Sequence, residues 1–229
     1  MTASEWIYTA LFVYFPYIAG AIFIAGVVTR CIKANGTVQA LSSQYLSNDA
    51  KLRLGSPLFH FAIVGVFFGH IFGLLAPEPL YIWLISNETK RILAIIMGGA
   101  AGLVAFVGIA MLLVRRFSNE RVVANSTTGD KVIVALIFLQ IATGLLGTLA
   151  TSQGTVEDYL AIDHWAQGLV IMEPRVWQWL VDATIVHKIH IILGFCIVAI
   201  FPFTKLMHMI AMPVKYLFQP NRVVNRGSM

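Results

Sequence analysis

Hydrophobic residues along this chain run almost unbroken through five stretches, about 6–28, 57–76, 90–114, 131–151 and 183–212, each bounded by charged residues or proline. Each is about 20 residues or longer, and a helix rising about 1.5 Å per residue crosses roughly 30 Å of hydrocarbon over that length. The runs are continuous, whereas membrane β-barrel strands alternate apolar and polar residues over about ten positions, so helices are expected. Pro16 falls inside the first stretch, which a lipid-buried helix tolerates when a neighbour satisfies the freed carbonyl. Pro77 and Pro79 stop the second stretch, Arg115 and Arg116 close the third, and Pro213 closes the fifth. The N-terminus lacks a basic start and a small-residue cleavage site, so its apolar stretch is expected to stay as the first span. The pattern predicts an all-α polytopic membrane protein: one integral domain over 1–229, five transmembrane helices in a bundle, and a tail at 213–229. No internal repeat or low-complexity tract interrupts it.

Composition narrows this further. Of the residues 58% are hydrophobic and 12% charged, and mean hydropathy is +0.79. A soluble domain carries about 25% charged residues, so a water-facing globular fold is excluded. The net charge of +5 reflects placement, not a nucleic-acid partner. Arg30, Lys33, Lys51, Arg53, Arg115, Arg116, Arg121 and Lys131 fall on one side of the expected membrane, with Lys215, Arg222 and Arg226 of the tail. The other side carries only Lys90, Arg91 and Arg175 but most of the acids. The excess of Lys and Arg places the N-terminus outside and the C-terminus in the cytoplasm. An odd number of spans agrees with opposite ends. Cys31 and Cys196 are expected to be buried, inert thiols.

Four histidines fall inside the expected spans: His60 and His70 in the second, His190 and His208 in the fifth. Ionisable groups at that depth are rare and mark functional sites. No carboxylate clearly shares the spans, which argues against a proton or cation pathway. The second helix runs outward and the fifth inward, so His60 and His208 share the cytoplasmic level, while His70 and His190 share the outer one. Two facing imidazoles at each level are what six-coordinate haem irons need, so the bundle is expected to enclose two b-type haems. The spacing fits only in outline: about 15 Å separates His60 from His70 along the axis, and about 27 Å separates His190 from His208. Tilt and a kink at Pro202 would have to absorb the difference. His187 is a rival to His190, but its distance of about 31 Å from His208 worsens the mismatch. His164, beside Trp165, is expected at the interface. Gly65, Gly69 and Gly73 form a smooth ridge flanking His70; such ridges more often serve helix packing than a cofactor.

Several segments carry a family resemblance: FPYIAGAIF, SSQYL, SPLFHFAIVGVFFGHIFGLLAP, MGGAAG, TTGDKVIVALIFLQIATGLL and HIILGFCIVAIFPFTKLMHMIAMPVKYL. Together they resemble the gamma subunit, a cytochrome b, of membrane-bound respiratory nitrate reductase, over nearly the whole chain. The resemblance implies a diheme quinol dehydrogenase of the bacterial or archaeal cytoplasmic (inner) membrane, acting in anaerobic nitrate respiration. It would oxidise menaquinol or ubiquinol near the outer face. Electrons would pass inward to iron-sulfur (beta) and molybdenum catalytic (alpha) subunits on the cytoplasmic side. His70 and His190 match the ligands of the distal haem, and His60 and His208 those of the proximal haem. Lys90 matches a lysine that assists quinol binding beside the distal haem, and Gly69 lines the same site. On position alone Lys90 also reads as a snorkelling interfacial anchor. The sequence departs from the pattern at His187, where the family has an aromatic residue, and in the loop 151–182.

Two other functions fit parts of the pattern. A cytochrome b anchor of another reductase, serving sulfur compounds or a heterodisulfide, would carry the same haems with a different soluble partner. A transporter lined by histidines that bind metal or relay protons would need the intramembrane carboxylates that the sequence lacks.

Overall fold

The computed structural model describes residues 2–33 and 49–210. The SSQYL segment, residues 211–212 and the tail 213–229 lie outside the described residues. Five helices are long and apolar enough to cross a membrane: α1 (Ala3–Lys33), α2 (Ala50–Leu75), α3 (Asn87–Ser118), α4 (Thr128–Gln153) and a fifth beginning at Ile185. A sixth, α5 (Val156–Val170), lies between the last two, and α6 (Ile185–Ile200) forms the fifth crossing.

Most helices begin on a side-chain cap. Thr2 with Glu5, Thr127 with Asp130 and Thr155 with Asp158 form capping boxes at α1, α4 and α5, each satisfying backbone N–H groups that a helix start leaves unpaired. Asp49 accepts from Lys51 N at the start of α2. This helix therefore begins seven residues before the expected Pro57, which sits inside it.

Pro16 is accommodated by two devices. A π-helical turn at Ala10–Tyr14 precedes it, widening the helix where its pyrrolidine ring needs room. The carbonyl it cannot serve, that of Phe12, accepts instead from Trp165 Nε1 of α5 at 3.0 Å. Around that bond Phe12, Val13, Trp165, Ala166, Val176 and Leu180 form a core that fastens α5 and the turn after it to α1.

The glycines divide into two classes. A Cβ on Gly108 of α3 would lie 2.6 Å from Phe59 N of α2, and one on Gly55 would lie 3.0 Å from Met111 Cβ. These two let α2 and α3 approach closely around Ala62, Ala105, Ile109 and Ile141. A Cβ on Gly65, Gly69 or Gly73 would meet no described atom within 4 Å. The expectation that this ridge packs against a helix is corrected: packing is done one stripe away, and the ridge faces open space.

The fifth stretch does not continue as one helix to residue 212. α6 stops at Ile200; a 3-10 turn (Phe201–Phe203), an extended Thr204 (φ −117°, ψ 176°) and a second 3-10 turn (Lys205–Met207) follow. Pro202 is the cause: it has no N–H to donate, and its ring clashes with the carbonyl four residues back. The break is held by Arg30 Nη1, which donates to Pro202 O at 2.8 Å. Gly26, whose Cβ would lie 2.6 Å from Pro202 Cβ, allows the close approach. Because the chain changes direction here, axial rise along a straight helix no longer measures the distance from His190 to His208.

Candidate functional site

α2, which carries His60 and His70, and α6, which carries His190 and leads through the break at Pro202 to His208, are the least covered long helices: 11% and 6% of their apolar windows are buried, against 17–22% in the other three. Across the space between them the side chains meet at two levels. The His60 and His208 ring centroids lie 6.1 Å apart at the end that also bears Arg115 and Lys205. Those of His70 and His190 lie 6.2 Å apart toward the opposite, N-terminal end.

Three of the four rings are oriented alike. Nδ1–H of His60 donates to Ser56 O (2.7 Å), that of His70 to Val66 O (2.8 Å), and that of His208 to Lys205 O (2.5 Å). A carbonyl can only accept, so these bonds fix the proton on Nδ1 and leave the Nε2 lone pair available, the arrangement that orients metal-ligating histidines. His190 differs. Its Nδ1 lies 3.1 Å from Thr143 Oγ1, and its Nε2 takes a hydrogen bond from Gln140 Nε2 at 3.1 Å. Gln140 Oε1 is left buried without a partner. A Cβ on Gly144 would press on this ring at 3.0 Å.

Paired imidazoles are the donor set that would hold a haem at each level, His190 once its Nε2 leaves Gln140. With each ligand nitrogen about 2.0 Å from a shared metal, two facing imidazoles would stand about 6 Å apart between ring centres. Both pairs match that value, and the slot beside Gly65, Gly69 and Gly73 is one that side chains would fill. Among the described residues no cluster of three or more His, Cys, Asp or Glu side chains forms a cage for a bare metal ion.

The supports of the two pairs were harder to foresee. The turn carrying His208 is tied to α4 by Lys205 Nζ on Asp130 Oδ2 at 2.6 Å, an acid at the first turn of that helix. Arg115 bonds Asp49 at 2.6 Å, and Arg116 donates to Ser126. His187 is held on both sides, Nδ1 by Thr184 Oγ1 at 2.7 Å and Nε2 by Thr151 Oγ1 at 3.2 Å, while the His70 ring faces His190. His164 packs on Trp179, not at a bare surface.

At the N-terminal end the chain is roofed by α5. Gln167 Nε2 donates to Leu74 O and Ala76 O, binding α5 to the end of α2 one turn beyond His70. One turn before Gln167, Asp163 is 1% exposed and accepts from Lys90 Nζ through Oδ2 at 2.6 Å. The Lys90 ammonium also sits over the Tyr81 ring, 4.3 Å from its centre, and 5.7 Å from that of Tyr159. Burial pushes the Asp163 carboxyl up to about 6 despite the opposing Lys90 charge. Burial and the Asp163 charge likewise raise the Tyr159 hydroxyl well above its ordinary value. Lys90 is therefore not a free surface anchor. Neither the α5 helix nor Asp163 was among the expected features, although the T-x-x-D box at Thr155 was a readable helix start.

The family model described as nitrate reductase gamma subunit matches residues 8–227. The chain belongs to this family. It is 35% identical to the respiratory nitrate reductase 1 gamma chain of Escherichia coli and 34% identical to the 2 gamma chain, covering 92% of this chain and 93% of each relative. Its identity to the nitrate reductase gamma chain of Bacillus subtilis is 31%, over 93% of this chain and 96% of that one.

Proposed function

We propose that this chain is the diheme, quinol-oxidising membrane subunit of a respiratory nitrate reductase. The observation that carries the reading is the pair of imidazole couples, 6.1 and 6.2 Å between centroids, across a gap that neither helix fills. His60 and His208 would hold one b-type haem and His70 and His190 the other, the His190 ring exchanging its Gln140 bond for iron. Bound there, the two haems supply one-electron oxidation and reduction with no open coordination position.

The chain's own residues then divide the remaining work. With two histidines at each iron, quinol reacts beside a pair and not on it. Lys90, fixed over Tyr81, donates a hydrogen bond to a quinol oxygen at the N-terminal end, and Gly69, bare of a side chain beside His70, leaves room for the ring. The asymmetry of Lys and Arg turns this end outward and the basic end to the cytoplasm, so quinol protons leave outward. The named relatives are gamma chains of nitrate reductases, and the partners are accordingly the iron-sulfur and molybdenum subunits, docked on the basic cytoplasmic loops and the tail. Anchorage of a sulfur or heterodisulfide reductase would have no support from those relatives.

Lys90→Ala in the membrane-embedded complex tests the site. With both b-type spectra intact, binding of a non-oxidisable quinol analogue should fall at least about tenfold, a loss of about 1.4 kcal/mol, and quinol-driven haem reduction should slow with it. Unchanged binding and reduction would remove Lys90 from the quinol site.

A further inference from the structure

Asp163 and Lys90 form the most deeply buried ion pair at the N-terminal end, with side chains 2% and 8% exposed. One carboxylate oxygen takes the ammonium, and the other, Oδ1, is buried with no partner at all. An orphaned carboxylate lone pair is costly, and burying an ion pair gains little stability over a well-packed apolar one. Structure alone gives little reason to keep it. The pair is also well placed: Asp163 is one turn from Gln167 on α5, Gln167 holds Leu74 O, and Leu74 is one turn past His70.

We propose that Asp163 is the proton acceptor behind Lys90, receiving through the lysine the proton that quinol loses. The inference rests on the quinol site proposed above and deepens it. The step is a proton transfer and needs no oxidant. An N–H bond of Lys90 breaks as an O–H bond forms on Asp163 Oδ2, leaving a neutral amine and a neutral acid. That amine takes the quinol hydroxyl proton: the quinol O–H breaks, a new N–H forms, and the bonding electron pair stays on the quinol oxygen. The resulting quinolate faces a restored ammonium. Asp163 then releases its proton to water at the outer end.

The groups facing Asp163 are few. Lys90 comes from α3, Tyr81 from the turn after α2, and Tyr159 from α5 itself, while Glu78 acts only on Tyr81. Both phenols stay protonated at neutral pH, since their hydroxyls are raised by burial. The carboxyl is then the group whose ionisation governs transfer. It accepts a proton only when ionised, so the rate should rise with pH through about 6 and level off above.

The test compares four forms of the whole complex in membranes: the natural chain, Asp163→Asn, Asp163→Glu and Lys90→Ala. Read out are quinol oxidation from pH 5 to 8, haem content and binding of a non-oxidisable quinol analogue. Asp163→Asn retains a hydrogen-bond acceptor for Lys90 but cannot take a proton. It should bind the analogue and both haems normally, slow turnover about 100-fold as loss of a general base does, and show no inflection near pH 6. Asp163→Glu should recover most of the rate with a displaced inflection. Normal turnover and an unchanged pH profile in Asp163→Asn, with analogue binding lost in Lys90→Ala, would overturn the inference and leave the quinol site standing. Normal binding in Lys90→Ala would overturn both. If the Asn variant fails to assemble, the Glu variant decides: an inflection identical to that of the natural chain contradicts the proposal.

Discussion

At the basic end of the bundle, His60 and His208 face each other from a continuous helix and a broken one. Both Nδ1 atoms are pinned by backbone carbonyls, and the His208 turn is clamped by Lys205 on Asp130. At the N-terminal end, His70 and His190 stand at nearly the same separation with different surroundings. There His190 is held by Gln140 and Thr143, and a helix laid over the bundle end buries a lysine and an aspartate nearby. The spacing is common to both; at the basic end the ion pairs Lys205–Asp130 and Arg115–Asp49 brace the turns, whereas at the other end Lys90–Asp163 is buried with one carboxylate oxygen unpartnered. On the proposed function the two pairs would have separate tasks: one would hand electrons on, and the other would meet the substrate that supplies protons and electrons together.

The strongest way to break this comparison is to remove one ring at a time. His208→Ala should abolish one of two b-type signals and leave the other, and His190→Ala should do the converse. Visible spectra of the purified complex check it, and loss of both signals from either variant would mean that the levels are not independent. A smaller effect is expected from Lys205→Ala, which strips the partner from a buried Asp130 and loosens the turn under His208. Breaking a fully buried pair costs about 3–5 kcal/mol. Because the Lys205 side chain is 41% exposed, about 1–2 kcal/mol is expected in thermal unfolding, with only the His60–His208 signal weakened. The smallest is Gly69→Leu. With no described atom within 4 Å of its Cβ, the helix should stay as stable, while quinol-analogue affinity falls severalfold, at this end alone.

Much of this is legible in the sequence. Long apolar runs have one solution in lipid, so the five helices followed from hydropathy, and their directions put the histidines on two levels. The contacts that position the site were not legible, for specific reasons. Whether Gly65, Gly69 and Gly73 pack or lie open depends on which face of α2 meets α3, and Gly55 and Gly108 took that role. Pro202 announces a disturbance but not whether the helix bends or ends. Asp163 lies in the segment 151–182, where the sequence departs from the family pattern and offers no residue match. The tertiary bond from Trp165 to Phe12 O, itself demanded by Pro16, helps to fold that segment down as α5. The carbonyl that needed a donor was visible in the sequence, but the donor, 153 residues away, was not.

The most direct test of the account is the haem content of the purified chain in its complex, measured as the pyridine haemochrome together with the visible spectrum. Two b-type haems per chain are expected. A colourless preparation, or one haem that survives replacement of all four histidines in turn, would contradict it.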